Sequence, residues 1–201
     1  WSAASYWYQI MALTPDKNAE LILNGLFNDS YQGDAIVRTL FEELGVQTTF
    51  HTQEGVPYIR LTKQKRSLKR FVHDFVHQPD LAQTIVVTCC ILGKPFRISG
   101  LQTLRIKETD RIAALQKELW KLGFVLRSEG DSTLSWDGEM HTGIEPSVSI
   151  DTYEDHRMAM AFAPCCLTIS NIRINHPEVV SKSYPQFWEH LKQVGFNIQT
   201  L

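Results

Sequence analysis

The chain has 201 residues, 43% hydrophobic and 21% charged, with a formal net charge of −2 and a pI near 6.4. Its length suits one large domain or two small ones, and it can bury roughly 70% of the surface its unfolded form exposes, so a core needs neither disulfide nor metal. No basic excess or run of five like charges marks a nucleic-acid footprint, and no apolar stretch reaches the roughly 18 residues of a membrane span.

The opening WSAASYWYQIMAL has neither an initiator Met nor a basic leader, and reads as a cut end rather than a signal peptide. Its small and apolar residues predict a buried helix, followed by a β-like run, AELILNGL. DAIVRTLFEELGV then reads as an amphipathic helix stopped by Gly45, and VQTTFHTQEGVPYIRLT as a hairpin. The same order returns. DLAQTIVVTCCIL is a second buried helix and PFRISGL a second strand. RIAALQKELWKLGF is a helix stopped by Gly123, and VLRSEGDSTLSWDG a second hairpin. A third pass gives the helix RMAMAFAPCCL, the strand IRINHP and PQFWEHLKQVGF, with Pro185 placed for a first helical turn and Gly195 as the stop. The three glycines recur at intervals of 78 and 72 residues. Such long periods signal units that share one core, and predict an α/β domain of three similar units.

Two adjacent cysteine pairs, Cys89-Cys90 and Cys165-Cys166, sit in apolar runs without C-x-x-C spacing. They are expected to be buried, reduced thiols, as suits a cytoplasmic protein, and not a zinc site. His51, His73, His77, His141, His176 and His190 show no ligand spacing and read as structural or surface residues.

Ionisable residues collect where helices begin. Lys107, Glu108 and Arg111 flank one start. Asp155, His156 and Arg157 precede the helix at Met158, Pro79 and Asp80 precede the helix at Leu81, and Lys182 precedes SYPQFW. A helix N-terminus carries unpaired N–H groups and about half a positive charge, so it favours anions, and a cation there costs roughly 0.3–1 kcal/mol. One such cation is a surface accident. Several in one repeat would, if the starts converge, make a site for phosphate or carboxylate, with Asp80 and Glu108 ionised and able to move protons. Plainer readings stand beside this one. KETDR could be a capping sequence with Thr109 or Asp110 as N-cap, Asp80 an ordinary helix-start acid, and Lys182 a surface residue.

These motifs resemble the C-terminal part of the EPSP synthases (3-phosphoshikimate 1-carboxyvinyltransferases). The matching stretches are SAASYWY at 2–8, SYQGD at 30–34, QPDLAQT at 78–84, LRIKETDRIAAL at 104–115, DHRMAMAF at 155–162 and SKSYPQFW at 181–188. The resemblance implies a domain of three βαβαββ units, helices inside and sheets outside, whose helix N-termini face a cleft between two domains. It implies enolpyruvyl transfer from phosphoenolpyruvate to the 5-hydroxyl of shikimate 3-phosphate, in the shikimate pathway to aromatic amino acids, in an enzyme that is the target of glyphosate. Carried over by motif, Asp80 would accept the 5-hydroxyl proton and Glu108 would serve proton transfer at C3. Lys107 would contact the shikimate moiety, Arg111, Arg157 and Lys182 would bind phosphoenolpyruvate, and His156 would line the site. The family uses no organic cofactor and no catalytic metal. Residues 1–201 are thus expected to be a C-terminal domain separated from its N-terminal partner, cytoplasmic, with half a site and little turnover alone. Two other readings stay open: a non-catalytic module binding a phosphometabolite or a partner, and the sister transferase acting on UDP-N-acetylglucosamine.

Overall fold

The computed structural model describes residues 1–67, 69–142, 144 and 147–200. Its second unit is complete and shows the repeat plainly. Strand β4 (Phe71–Asp74) leads to helix α3 (Ala82–Ile91), strand β5 (Phe96–Ser99), helix α4 (Arg111–Lys121) and the hairpin β6 (Arg127–Glu129)–β7 (Thr133–Trp136). The sheet order is β4-β5-β7-β6, parallel between β4 and β5 and antiparallel elsewhere.

The first unit repeats this from its first helix. It comprises α1 (Ala4–Leu13), β1 (Glu20–Asn24), α2 (Val37–Glu43) and the hairpin β2 (Val46–Gln53)–β3 (Val56–Lys63), in the order β1-β3-β2. The third comprises β8 (Ser149–Ile150), α5 (His156–Phe162), β9 (Arg173–Ile174) and α6 (Phe187–Gln193), with β8 and β9 parallel. The three-unit α/β architecture expected from the repeat is therefore present.

Pattern explains the layers. All ten residues of α1 and nine of the ten in α3 are buried, because both helices are apolar or small on every side. Helices α1, α3 and α5 pack on one another in the interior. Helix α4 is amphipathic instead. It buries Ile112, Ala114, Leu115 and Leu119 and leaves Ala113, Lys117 and Trp120 exposed. Gly123 ends it at φ +96, and the equivalent Gly45 and Gly195 adopt φ +93 and +97, a region that costs a residue with a Cβ.

Two local expectations fail. Pro185 lies before the N-cap Gln186, so it precedes helix α6 rather than entering its first turn. The run RMAMAFAPCCL is not one helix. Helix α5 stops at Phe162 and a 3₁₀ segment, Ala163–Leu167, follows, since Pro164 cannot supply the N–H of a continuing α-helix. That change of path turns Cys166 outward, while Cys89, Cys90 and Cys165 are buried and all four thiols are free. The cysteine expectation is thus right for three residues and wrong for the fourth.

Candidate active site

Three chain segments meet where helices begin. A 3₁₀ turn, Pro79–Leu81, carries Asp80 into α3. Asp110 caps α4, its Oδ1 accepting from the N–H groups of Ile112 (3.1 Å) and Ala113 (3.0 Å), while Arg105 Nη1 holds its other oxygen at 2.9 Å. Of the two candidate caps in KETDR, the structure uses Asp110. Asp155 caps α5 in the same way, its Oδ1 accepting from Arg157 N–H at 2.8 Å.

Arg111 joins the three. It is the first residue of α4, yet its side chain is only 1% exposed. Nε donates to Asp155 Oδ2 at 2.6 Å, Nη1 to Asp80 Oδ1 at 2.9 Å, and Nη2 to Glu108 Oε2 at 2.6 Å and Asp155 Oδ1 at 3.4 Å. A cation at this helix start is tolerated because three carboxylates surround it, against a dipole cost of at most about 1 kcal/mol. Arg157 adds a second arm, with Nη2 donating to Asp80 Oδ2 at 2.8 Å. Lys107 Nζ lies 3.8 Å from Asp80 Oδ1. Three carboxylates thus face three cations, and the cluster is electrically balanced.

The local field follows. Burial pushes the Asp80 carboxyl up, but Arg157, Lys107 and Arg111 outweigh it and hold the group below the usual carboxylate range. Glu108 is also lowered: burial opposes ionisation, and its own backbone N–H, Arg111, His156 and Arg157 favour it. Both acids are ionised at neutral pH. His156 is lowered by burial and by Arg157, which keeps the imidazole neutral. Its Nδ1 has no hydrogen-bond partner among the described residues, while the fully buried Tyr6 hydroxyl lies against the Arg157 guanidinium. Burial, only partly offset by Arg157, pushes the Tyr6 phenol up to about 12, so it stays protonated.

The family-model comparison matches residues 1–191 to the EPSP synthase (3-phosphoshikimate 1-carboxyvinyltransferase) family. The chain belongs to the EPSP synthase family. It is 54% identical over 199 residues to the 3-phosphoshikimate 1-carboxyvinyltransferase of Bacteroides fragilis strain YCH46, covering 99% of this chain and 47% of that protein. It is 35% identical to the enzyme of that name from Cellvibrio japonicus, covering 96% of this chain and 43% of the relative. The chain spans about half the length of the curated relatives it matches. A solved EPSP synthase from Acinetobacter baumannii shares the fold, with a TM-score of 0.71 at 22% identity over 98% of this chain and 46% of that one.

Of the residues expected from the EPSP synthase motifs, Asp80, Lys107, Glu108, Arg111 and Arg157 come together in this cluster, with His156 beside it on α5. Lys182 stands apart: it is exposed, and its ammonium donates to the Glu154 carbonyl at 2.7 Å. Three participants were not among the expected site residues. Asp155, wholly buried, is the principal partner of Arg111. Its signal was available, as an acid one residue before an apolar helix. Gln83, whose Nε2 lies 3.5 Å from Asp155 Oδ2, was marked by the QPDLAQT stretch at 78–84 and by its long polar side chain in a mostly apolar helix. Tyr6 was marked only by lying in the SAASYWY stretch at 2–8. No group of three or more His, Cys, Asp or Glu side chains among the described residues could hold a metal, and no helix among them is long and apolar enough to cross a membrane.

Proposed function

We propose that residues 1–201 form the C-terminal domain of a cytoplasmic two-domain enzyme. It transfers the enolpyruvyl group of phosphoenolpyruvate to the 5-hydroxyl of shikimate 3-phosphate. The observation that carries the reading is the convergence of Asp80, Glu108, Arg111 and Arg157 from three helix starts in a chain of this family.

The 5-hydroxyl oxygen bonds to C2 of the enolpyruvyl group, its proton passes to Asp80, and C3 gains a proton through Glu108. The tetrahedral intermediate then loses inorganic phosphate as the C3 proton returns. Asp80, ionised at rest, is suited to the accepting role. Glu108, also ionised, can give a proton only after taking one. Anion binding supplies a reason for that change. When phosphoenolpyruvate draws Arg157 and Arg111 toward its phosphate and carboxylate, the two acids lose the cations that lower them and their proton affinity rises. Lys107 holds the shikimate moiety, Lys182 turns from Glu154 to the incoming anion, and neutral His156 lines the pocket. Because the resting cluster is already balanced, a phosphorylated anion needs further cations, which a second domain closing over the cleft provides.

The test is phosphate release from phosphoenolpyruvate plus shikimate 3-phosphate. It is run with this chain alone and with the chain joined to its N-terminal half. Turnover is expected only in the joined protein. No release from a joined protein that is folded refutes the assignment, as does release from the chain alone at the rate of the joined protein.

A further inference from the structure

Seven residues beyond Arg111, on the same face of α4 and about 10 Å along its axis, lies Glu118. Its side chain is wholly buried, and it belongs to no part of the cluster described above. Oε1 accepts a hydrogen bond from the Tyr153 hydroxyl at 2.5 Å. Oε2 accepts from Asp151 N–H at 3.0 Å and from Lys121 Nζ at 2.7 Å. Lys121 ties the same stretch again through Asp151 Oδ2 (3.0 Å) and the Ser149 carbonyl (2.9 Å), and Asn175 Nδ2 holds Asp151 Oδ1 at 2.7 Å. A buried carboxylate aimed at a backbone N–H and a phenol is there to hold that segment in place.

The segment needs holding. Tyr153 and Glu154 are consecutive non-glycine residues in the left-handed region, at φ +53 and +57, and the next residue is Asp155. L-residues keep such a pair only where the surroundings over-determine it. Helix α4 therefore grips the chain entering α5 at two points two turns apart. Glu118 takes Asp151 and Tyr153, and Arg111 takes Asp155. Two points fix a register where one would allow rotation.

We propose that Glu118 is a positioning residue of the candidate active site. It pins the left-handed Tyr153–Glu154 turn so that Asp155 and Arg157 meet Arg111 and Asp80 in a fixed register. Its kinetic consequence rests on the enolpyruvyl-transfer reading; its structural consequence does not. With the pin removed the turn relaxes, Asp155 and Arg157 shift, and the cost falls on phosphoenolpyruvate, the substrate assigned to Arg157. The site of the shikimate moiety at Lys107 is affected less, because Lys107 is not on the pinned segment and meets it only through Asp80.

The experiment uses the complete two-domain protein with Glu118→Gln and Tyr153→Phe, each of which keeps its side chain's volume. The KM for phosphoenolpyruvate should rise about tenfold in Glu118→Gln, with the KM for shikimate 3-phosphate within about twofold of the parent. The Arg157 amide, which donates to Asp155, should exchange with deuterium roughly tenfold faster than the loss of global stability in the same variant accounts for. Adding Glu154→Gly, which adopts a left-handed conformation freely, should recover most of the KM in Glu118→Gln, a rescue that general loss of stability would not show. The proposal is overturned by unaltered Arg157 exchange, or by a turnover that falls only with the folded fraction while both KM values stay put. If the parent protein transfers no enolpyruvyl group, the exchange measurement still decides the positioning and only the reaction assignment falls.

Discussion

Replacing Arg111 by methionine tests the hub directly. Methionine matches most of the buried volume, so the cavity cost is small and the electrostatic change dominates. The loss concentrates on Asp155, which is wholly buried and keeps only Arg157 N–H at 2.8 Å and Gln83 at a long 3.5 Å. Asp80 is better protected, since Arg157 and Lys107 remain beside it. Removing one partner of a buried ion pair costs about 3–5 kcal/mol. For a chain this size that lowers the unfolding midpoint by roughly 6–20 °C. The assay is urea and thermal unfolding by circular dichroism on the parent, Arg111→Met, Asp155→Asn and the double variant. The double variant should be clearly more stable than the sum of its two losses predicts, because it leaves no unpaired buried charge. The pH dependence has a defined sign. Asp80 and Glu108 have folded pKa values below their unfolded ones, so their stabilisation is present above pH about 4 and disappears as pH falls through the folded values. Arg111 is one cause of both depressions, so the deficit of Arg111→Met should be largest at neutral pH and shrink on acidification. A deficit under about 1 kcal/mol, or additive losses in the double variant, would refute the hub.

Other outcomes follow from the same geometry. In the complete protein, Asp80→Asn should cut turnover far more than it changes either KM, as measured by steady-state phosphate release; a change in affinity alone would remove its proton-transfer role. Asp110→Ala removes a cap that accepts two backbone N–H groups, and should cost about 1 kcal/mol in urea unfolding. Gly123→Ala places a Cβ at φ +96 and should destabilise the chain by about 1 kcal/mol or more in the same assay. NMR titration of His156 should give a pKa below that of a free imidazole, and Arg157→Met should move it up, since the guanidinium is a cause of the depression.

Much of the fold was open to reading because its signals are local. Helix period, strand alternation and a left-handed glycine after Leu44, Leu122 and Val194 act within a few residues of chain, so three passes of one pattern disclosed three units. Local chemistry also marked the edges of error. Pro164 in the α5 run and Pro185 before SYPQFW were visible, and each ended or displaced a helix more than the apolar pattern allowed. The site was legible as residue types at helix starts, and its family as motifs.

The sequence by itself determined most of the helices, the recurring strand of each unit and the hairpins of the first two, but not the strands Phe71–Asp74 and Ser149–Ile150. It also determined that ionisable residues gather at helix starts, and which family the motifs resemble. What only the tertiary structure decided is who pairs with whom. Arg111 reaches Asp80 across 31 residues and Asp155 across 44, and a cation that local rules place in solvent is instead the most enclosed cation of the cluster. Glu118 reads in sequence as the polar side of an amphipathic helix, and becomes a buried anchor only when the Asp151–Glu154 turn folds against it. The reason is physical. Secondary structure is set by backbone and side-chain preferences over a few residues. The ionisation and burial of a charge depend on partners brought within 3 Å by packing, and those partners come from distant parts of the chain.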